Sequence, residues 1–253
     1  MAPKLLKANS KAESSIASKT KDETVAWPKL QPIIPSTSLE LTEILPDQIF
    51  TISNLWSTKL CKQYVSFLSS LPLMTTPGRP KKGEAVRVND RFQIDDPGFA
   101  DRLWNETALQ ELVTGNASGM SKEQQQAVWG GLVVGLNPNI RVYRYTKGQF
   151  FGQHYDDSNI VTIGTTRGHT TWTLLLYLTS PATGCTGGQT VFYPEADEPK
   201  KGTKTKIQPQ PITVELEVGM ALLHKHGSDC LLHEGLEVTS GEKWIIRSDL
   251  VVI

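Results

Sequence analysis

A histidine and an aspartate two residues apart, His154 and Asp156, are followed 77 residues after the aspartate by His233 and ten residues further on by Lys243. Two imidazoles and one carboxylate make a three-pronged donor set that holds a non-haem Fe(II) and leaves coordination positions open. An open iron beside a cation is suited to activating O2 together with a 2-oxo acid. In a strand, residues two apart point to the same side, so His154 and Asp156 can face one interior while Tyr155 faces away. The third ligand must then come from another strand, and the apolar pair Leu231-Leu232 can carry His233 inward. Taken alone, His-x-Asp reads more readily as a surface turn pair, and His233 as a hydrogen-bonded core histidine. Context adds the weight: Tyr145, nine residues before His154, and Lys243 both fall on predicted strands flanking one cavity. His169, His224 and His226 are less well placed. His224 and His226 alternate and could form a two-donor pair, but no carboxylate follows them at an obvious spacing.

Those residues need a scaffold that returns a late strand to an early one. Residues 1–38 are polar and then punctuated by Pro28, Pro32 and Pro35, a composition that reads as a disordered N-terminal tail. Residues 39–130 read as a helical and strand support region. Phe50 and Ile52 suggest a short strand, and Trp56, Leu60, Tyr64 and Leu68 recur every fourth position as an amphipathic helix ending before Pro72. A second helix is expected over Phe99–Val113 and a short third over Ser121–Val128. Residues 131–253 turn strand-like, with candidates at Ile140–Tyr145, Thr170–Thr179, Gln189–Phe192, Ile212–Leu216, Ala221–Leu223 and Lys243–Val252. Six or more short strands between turn signals predict a mainly β, α+β protein: a double-stranded β-helix, or jelly roll, braced by N-terminal helices. The Lys-rich Lys200–Lys206 reads as a solvated loop.

The bulk composition narrows the partners. Lys plus Arg and Asp plus Glu are both 26, so the formal charge is zero and the pI near 7.0. Nothing calls for a polyanionic partner or an acidic membrane surface, and no nucleic acid partner is expected. Cys61, Cys185 and Cys230 lack the spacing of a zinc ribbon or redox dithiol and read as reduced thiols. Met1–Thr24 lacks the apolar stretch of a signal peptide, no run approaches a membrane span, and no Arg precedes Arg79 to suggest a presequence. An intracellular location, cytoplasmic or nuclear, is expected. Oligomeric state is not legible.

Several ordered motifs carry a resemblance: Arg141–Tyr145 (RVYRY), Gly148–Asp156 (GQFFGQHYD), Thr173–Leu178 (TLLLYL), Gly187–Phe192 (GGQTVF), and His233-Glu-Gly through Gly241-Glu-Lys243. Over about Gly131–Ile253 the chain resembles the prolyl 4-hydroxylase branch of the Fe(II)/2-oxoglutarate oxygenases. The resemblance implies that His154, Asp156 and His233 hold Fe(II) and that Lys243 pairs with the distal carboxylate of 2-oxoglutarate. It also implies that Tyr145 hydrogen-bonds the same cosubstrate and that Thr173 makes a second polar contact to it. Arg247 shares a strand face with Lys243 and Ile245, and its fork would suit a carboxylate better than an ammonium does, so either cation could serve. Gly187-Gly188 fits a turn entering a strand, and also a close backbone approach near the iron. Tyr143 shares Tyr145's face and either lines the pocket or packs in the core.

The implied reaction consumes O2 and 2-oxoglutarate, releases succinate and CO2, and hydroxylates an aliphatic carbon of a peptidyl residue, proline included, or of a small molecule; ascorbate would be supportive. Before the barrel, Arg87, Asn89 and Arg91 alternate along one predicted strand. They are candidate substrate contacts over the mouth of the site, or else charges guarding an exposed edge. Oxidative demethylation is a second reading, which for nucleic acid would call for a basic groove with stacking aromatics. A non-catalytic metal-binding or sensor protein on the same scaffold is a third.

Overall fold

The computed structural model describes residues 25–253 apart from 77, 79, 81–82 and 196–208, so Met1–Thr24 and the Lys200–Lys206 loop lie outside the described residues. Two antiparallel sheets face each other. The larger orders its strands Thr42–Leu45, Ile49–Ile52, Ala221–Lys225, Thr166–Tyr177, Glu242–Val252, Asn139–Thr146, Asp90–Asp95 and Met74–Thr75, with Val133–Leu136 and Ile160–Ile163 attached beside this path. The smaller orders Ile212–Val214, Thr190–Tyr193, Leu232–Gly235, Phe150–His154 and Arg87–Val88. A two-stranded ribbon, Thr186–Gly187 with Val238–Ser240, closes one end. This is the jelly roll expected from the sequence.

Strand periodicity sorts the side chains into two cores. Trp244, Ile246, Leu250 and Val252 on one strand, and Trp172, Leu174 and Leu176 on its neighbour, join the core under the helices. The alternate residues Ile245, Tyr177, Tyr143, Tyr145 and Leu222 join a second cluster between the sheets, with Phe192, Val214 and Val238. The large sheet is therefore buried on both faces, which is why its strands read as unbroken apolar runs rather than as alternating ones. The polar residues that share the inner phase, Thr173, His224, Lys243 and Arg247, are buried with it.

The helices cover the outer face of this sheet. Thr58–Leu68 starts at Ser57, whose hydroxyl accepts from the Leu60 amide at 3.2 Å, and buries Leu60, Cys61, Tyr64 and Leu68. Lys122–Trp129 begins with a reciprocal Ser121–Gln124 capping box. The single helix expected over Phe99–Val113 is instead two, Pro97–Asn105 and Leu109–Thr114. Thr107 explains the break: its hydroxyl donates to the Leu103 carbonyl at 2.7 Å and accepts from the Leu109 amide at 3.2 Å, replacing backbone pairing at the junction.

The tail reading fails for residues 25–38. Leu30 is buried, and Trp27 stacks on Phe99 with centroids 4.0 Å apart and donates its indole N–H to Asp96 at 2.7 Å. Two large apolar side chains outweigh the prolines around them. All three cysteines are free and buried. Among the described residues no helix is long and apolar enough to cross a membrane.

Candidate metal and cosubstrate site

His154 ends the Phe150–His154 strand and His233 lies on Leu232–Gly235; the two are direct partners in the antiparallel register of the small sheet. Asp156 follows two residues after His154, and its carboxylate turns into the space between the sheets. His154 Nε2 lies 3.8 Å from Asp156 Oδ1, and His233 Nε2 lies 3.7 Å from Asp156 Oδ2. Donor atoms of the three residues all fall within 4.8 Å of one another, and all three residues are buried.

Each of the two imidazoles is held by the backbone. Nδ1 of His154 is 2.9 Å from the Gly152 carbonyl oxygen, and Nδ1 of His233 is 2.9 Å from that of Leu231. A carbonyl that takes the Nδ1 proton fixes the tautomer and leaves Nε2 as a bare lone pair aimed inward. Burial, reinforced by the neighbouring His233, pushes His154 down to about 3, and burial likewise lowers His233. Both rings are therefore neutral at ordinary pH. Phe151 stacks on His154 at 3.6 Å, and Phe192 on His233 at 5.5 Å, walling the pair off from solvent.

Asp156 is the hub. Burial favours its neutral form, but the Arg247 guanidinium beside it overcomes this and holds the carboxyl well below its usual range. Arg247 grips it as a fork, Nη1 to Oδ1 at 3.2 Å and Nη2 to Oδ2 at 3.1 Å. Thr173 donates to Oδ2 at 3.0 Å and also meets His226 Nδ1 at 3.0 Å, while His226 Nε2 reaches Thr170 Oγ1 at 2.9 Å. Two neutral imidazoles with inward lone pairs and one ionised carboxylate fit a divalent transition metal by donor type, burial and convergence.

Lys243 and Arg247, alternatives in the sequence, separate in the structure. Arg247 is engaged with Asp156 and Asp249. Lys243 is buried among Tyr145 and Tyr177, each ring 5.5 Å from its ammonium, and donates to the Gly188 carbonyl at 2.5 Å. Burial lowers its pKa to about 8. Gly188 adopts φ +74°, and a Cβ there would stand 3.0 Å from Lys243 Cδ. A side chain at this position would crowd the lysine stem. Thr190 meets the Tyr177 hydroxyl at 2.7 Å beside the same cation. The sequence reading assigned a cosubstrate contact to Thr173 and none to Tyr177 or Thr190. The Thr173 hydroxyl points at Asp156 in the structure, and Tyr177 could have been found from its phase, two residues on from Leu175 in a strand whose inner face begins at Thr173.

The Arg87-Asn89-Arg91 face does not exist as one face. Arg87 pairs with Phe151 in the small sheet and Arg91 with Tyr143 in the large one, so the chain changes sheets between them. Asn89 sits at the crossing, fully buried, with Thr76 donating to its Oδ1 at 3.1 Å, and it is a joint rather than a mouth residue. Arg91 bonds Gln93. Arg87 spans the gap, its guanidinium 5.0 Å from the Phe151 ring and 5.9 Å from that of Tyr143. The Tyr143 hydroxyl is buried with no hydrogen-bond partner among the described residues.

His224 is the residue that the sequence reading passed over. It is 2% exposed, pairs with Thr173 in the strand register, and brings Nε2 to 3.8 Å from Asp156 Oδ2. With Cys230 and His233 it forms a second group of donors within 4.8 Å of one another.

A jelly roll in which a buried His-x-Asp meets a distant His on the neighbouring strand offers the donor set of a non-haem metal oxygenase. Residues 140–248, the stretch that contains His154, Asp156 and His233, match the family model described as 2OG-Fe(II) oxygenase superfamily. No curated protein matches the chain. Among solved structures it is similar to a prolyl hydroxylase from Trichoplax adhaerens, bound to a hypoxia inducible factor peptide, at 16% identity over 81% of this chain and 84% of that one, TM-score 0.50. It is also similar to a Pseudomonas putida prolyl-4-hydroxylase, at 15% identity over 81% and 92%, TM-score 0.49. A viral collagen prolyl hydroxylase from Paramecium Bursaria Chlorella virus-1 matches at 20% identity over 81% and 96%, TM-score 0.46.

Proposed function

We propose that the protein hydroxylates an aliphatic carbon of a peptidyl residue, proline among the candidates, or of a small molecule, with His154, Asp156 and His233 as iron ligands and Lys243 as the cosubstrate cation. The observation that carries this reading is the convergence of three buried donors, with a buried ammonium that has no acidic partner among the described residues on the same inner wall. When bound, iron and 2-oxoglutarate supply the oxidising chemistry, which couples loss of CO2 and formation of succinate to hydroxylation of a C–H bond.

The chain's own residues do the rest. The Gly152 and Leu231 carbonyls orient the two imidazoles, and Arg247 and Thr173 keep Asp156 ionised and fixed. Lys243, Tyr145 and the Tyr177–Thr190 pair receive the far carboxylate of the cosubstrate; that carboxylate supplies the counter-charge the buried ammonium lacks. Phe151 and Phe192 exclude water from the imidazole face. Arg87 and the Tyr143 hydroxyl, which has no hydrogen-bond partner among the described residues, are the groups we assign to gripping a substrate carbonyl or carboxylate.

The test is succinate formation from 2-oxoglutarate by purified protein under air with Fe(II) and ascorbate, for wild type and His233→Ala. Iron-dependent turnover lost in the variant supports the assignment. Equal turnover in both would sink it.

A further inference from the structure

The metal-ligand assignment above uses two imidazoles, and a third, His224, lies beside them against Asp156. His224 comes from the opposite sheet, on the Ala221–Lys225 strand, and its ring centroid lies 4.6 Å from that of His233. Its Nε2 is buried, has no hydrogen-bond partner among the described residues, and points to Asp156 Oδ2 at 3.8 Å, much as His233 Nε2 does at 3.7 Å. Its Nδ1 is 3.4 Å from the Lys225 carbonyl, a long contact that still favours the proton on Nδ1 and the lone pair on Nε2. Leaving a buried ring nitrogen unsatisfied costs on the order of 1–3 kcal/mol, so such a group persists where something in the working state meets it.

Resting on the proposed metal centre, we infer that His224 is a fourth protein donor to the iron, occupying one of the positions that His154, Asp156 and His233 leave open until 2-oxoglutarate displaces it. A donor added by His224 would leave a bound ion too few open positions for both 2-oxoglutarate and O2, so His224 would have to yield for turnover. His224 thus shields the ion from O2 while the cosubstrate is absent, and competes with the cosubstrate for the metal. A residue that merely packs in the core would do neither.

The two roles predict opposite shifts. In His224→Leu, which keeps the bulk and removes the nitrogen, Co(II) binding followed by calorimetry weakens by about tenfold or more, whereas 2-oxoglutarate binds the Co(II)-loaded protein more tightly than it binds wild type. X-ray absorption of the Co(II)-loaded wild type shows three imidazoles without 2-oxoglutarate and two with it; His224→Leu shows two in both. His224→Phe, aromatic and without a donor, repeats the result if folding is preserved, as read by circular dichroism. Two imidazoles in cosubstrate-free wild type, with unchanged affinities in the variants, would overturn the fourth-ligand inference and leave the three-ligand centre standing. Failure of wild type to bind Co(II) more tightly than Asp156→Ala would overturn both.

Discussion

Lys243 and Tyr145 are direct ladder partners across the Glu242–Val252 and Asn139–Thr146 strands, and the ammonium lies 5.5 Å from the phenol ring. Burial in this aromatic setting lowers the lysine to about 8. A bound carboxylate raises it again, so cosubstrate binding takes up a proton once the free site has lost its own. Affinity for 2-oxoglutarate is therefore level below pH 8 and falls by about tenfold per pH unit above it. Calorimetric titrations of metal-loaded protein between pH 6.5 and 9.5 check this; a flat profile would mean that the cation facing the cosubstrate is Arg247.

Removing that cation should be costly. Lys243→Met is expected to raise the KM for 2-oxoglutarate by roughly 30-fold or more, as truncating one member of a buried charge pair costs about 2–5 kcal/mol. Metal affinity stays near that of wild type. Parallel titrations with Co(II) and with 2-oxoglutarate separate the two effects.

Arg247 and Asp156 are both nearly buried, and their fork is what keeps the carboxylate charged in the metal-free protein. Arg247→Met leaves that charge unpaired and should destabilise the metal-free protein by about 3 kcal/mol. A bound divalent ion supplies the missing positive charge, so the deficit shrinks when Co(II) is present. Urea unfolding with and without the metal reads both numbers; an equal deficit in the two would place Arg247's role elsewhere.

Thr173 offers a sharper distinction between sequence and structure. Its hydroxyl bonds Asp156 and His226, so Thr173→Val should lower metal affinity by about tenfold and leave the KM for 2-oxoglutarate close to wild type. The cosubstrate contact implied by the family resemblance requires the reverse pattern.

At the N-terminal side, Trp27 stacks on Phe99 and bonds Asp96, the residue whose carboxylate caps the Pro97–Asn105 helix at the Phe99 amide. Trp27→Ala is expected to cost about 3 kcal/mol through lost packing and a loosened cap. Chemical denaturation of the full chain measures it. A loss below about 0.5 kcal/mol would return residues 25–38 to the tail read from composition.

The strands were legible wherever both faces are buried, because long apolar runs such as Thr173–Leu178 have few other homes. His154, Asp156 and His233 were legible as a chemical set, and their convergence is an outcome of strand pairing that spacing alone only suggests. What escaped the sequence has a common cause in long-range geometry. Residues 25–38 hide their anchors, Trp27 and Leu30, among prolines. The alternation of Arg87, Asn89 and Arg91 looks like one strand because a change of sheet leaves no mark on residue type. His224 went unassigned for want of a carboxylate nearby in sequence, while the one it faces, Asp156, lies across the barrel.

His154 and His233 occupy the same rung of an antiparallel ladder, and a slip of one residue along that ladder would turn either imidazole to the outer side of the sheet. The ion-binding point is thus also a gauge of strand alignment. A chain whose small sheet has zipped one place out of step can be compact and still lack the site. The fraction of a preparation that takes up metal stoichiometrically then counts the molecules whose strands found their proper partners.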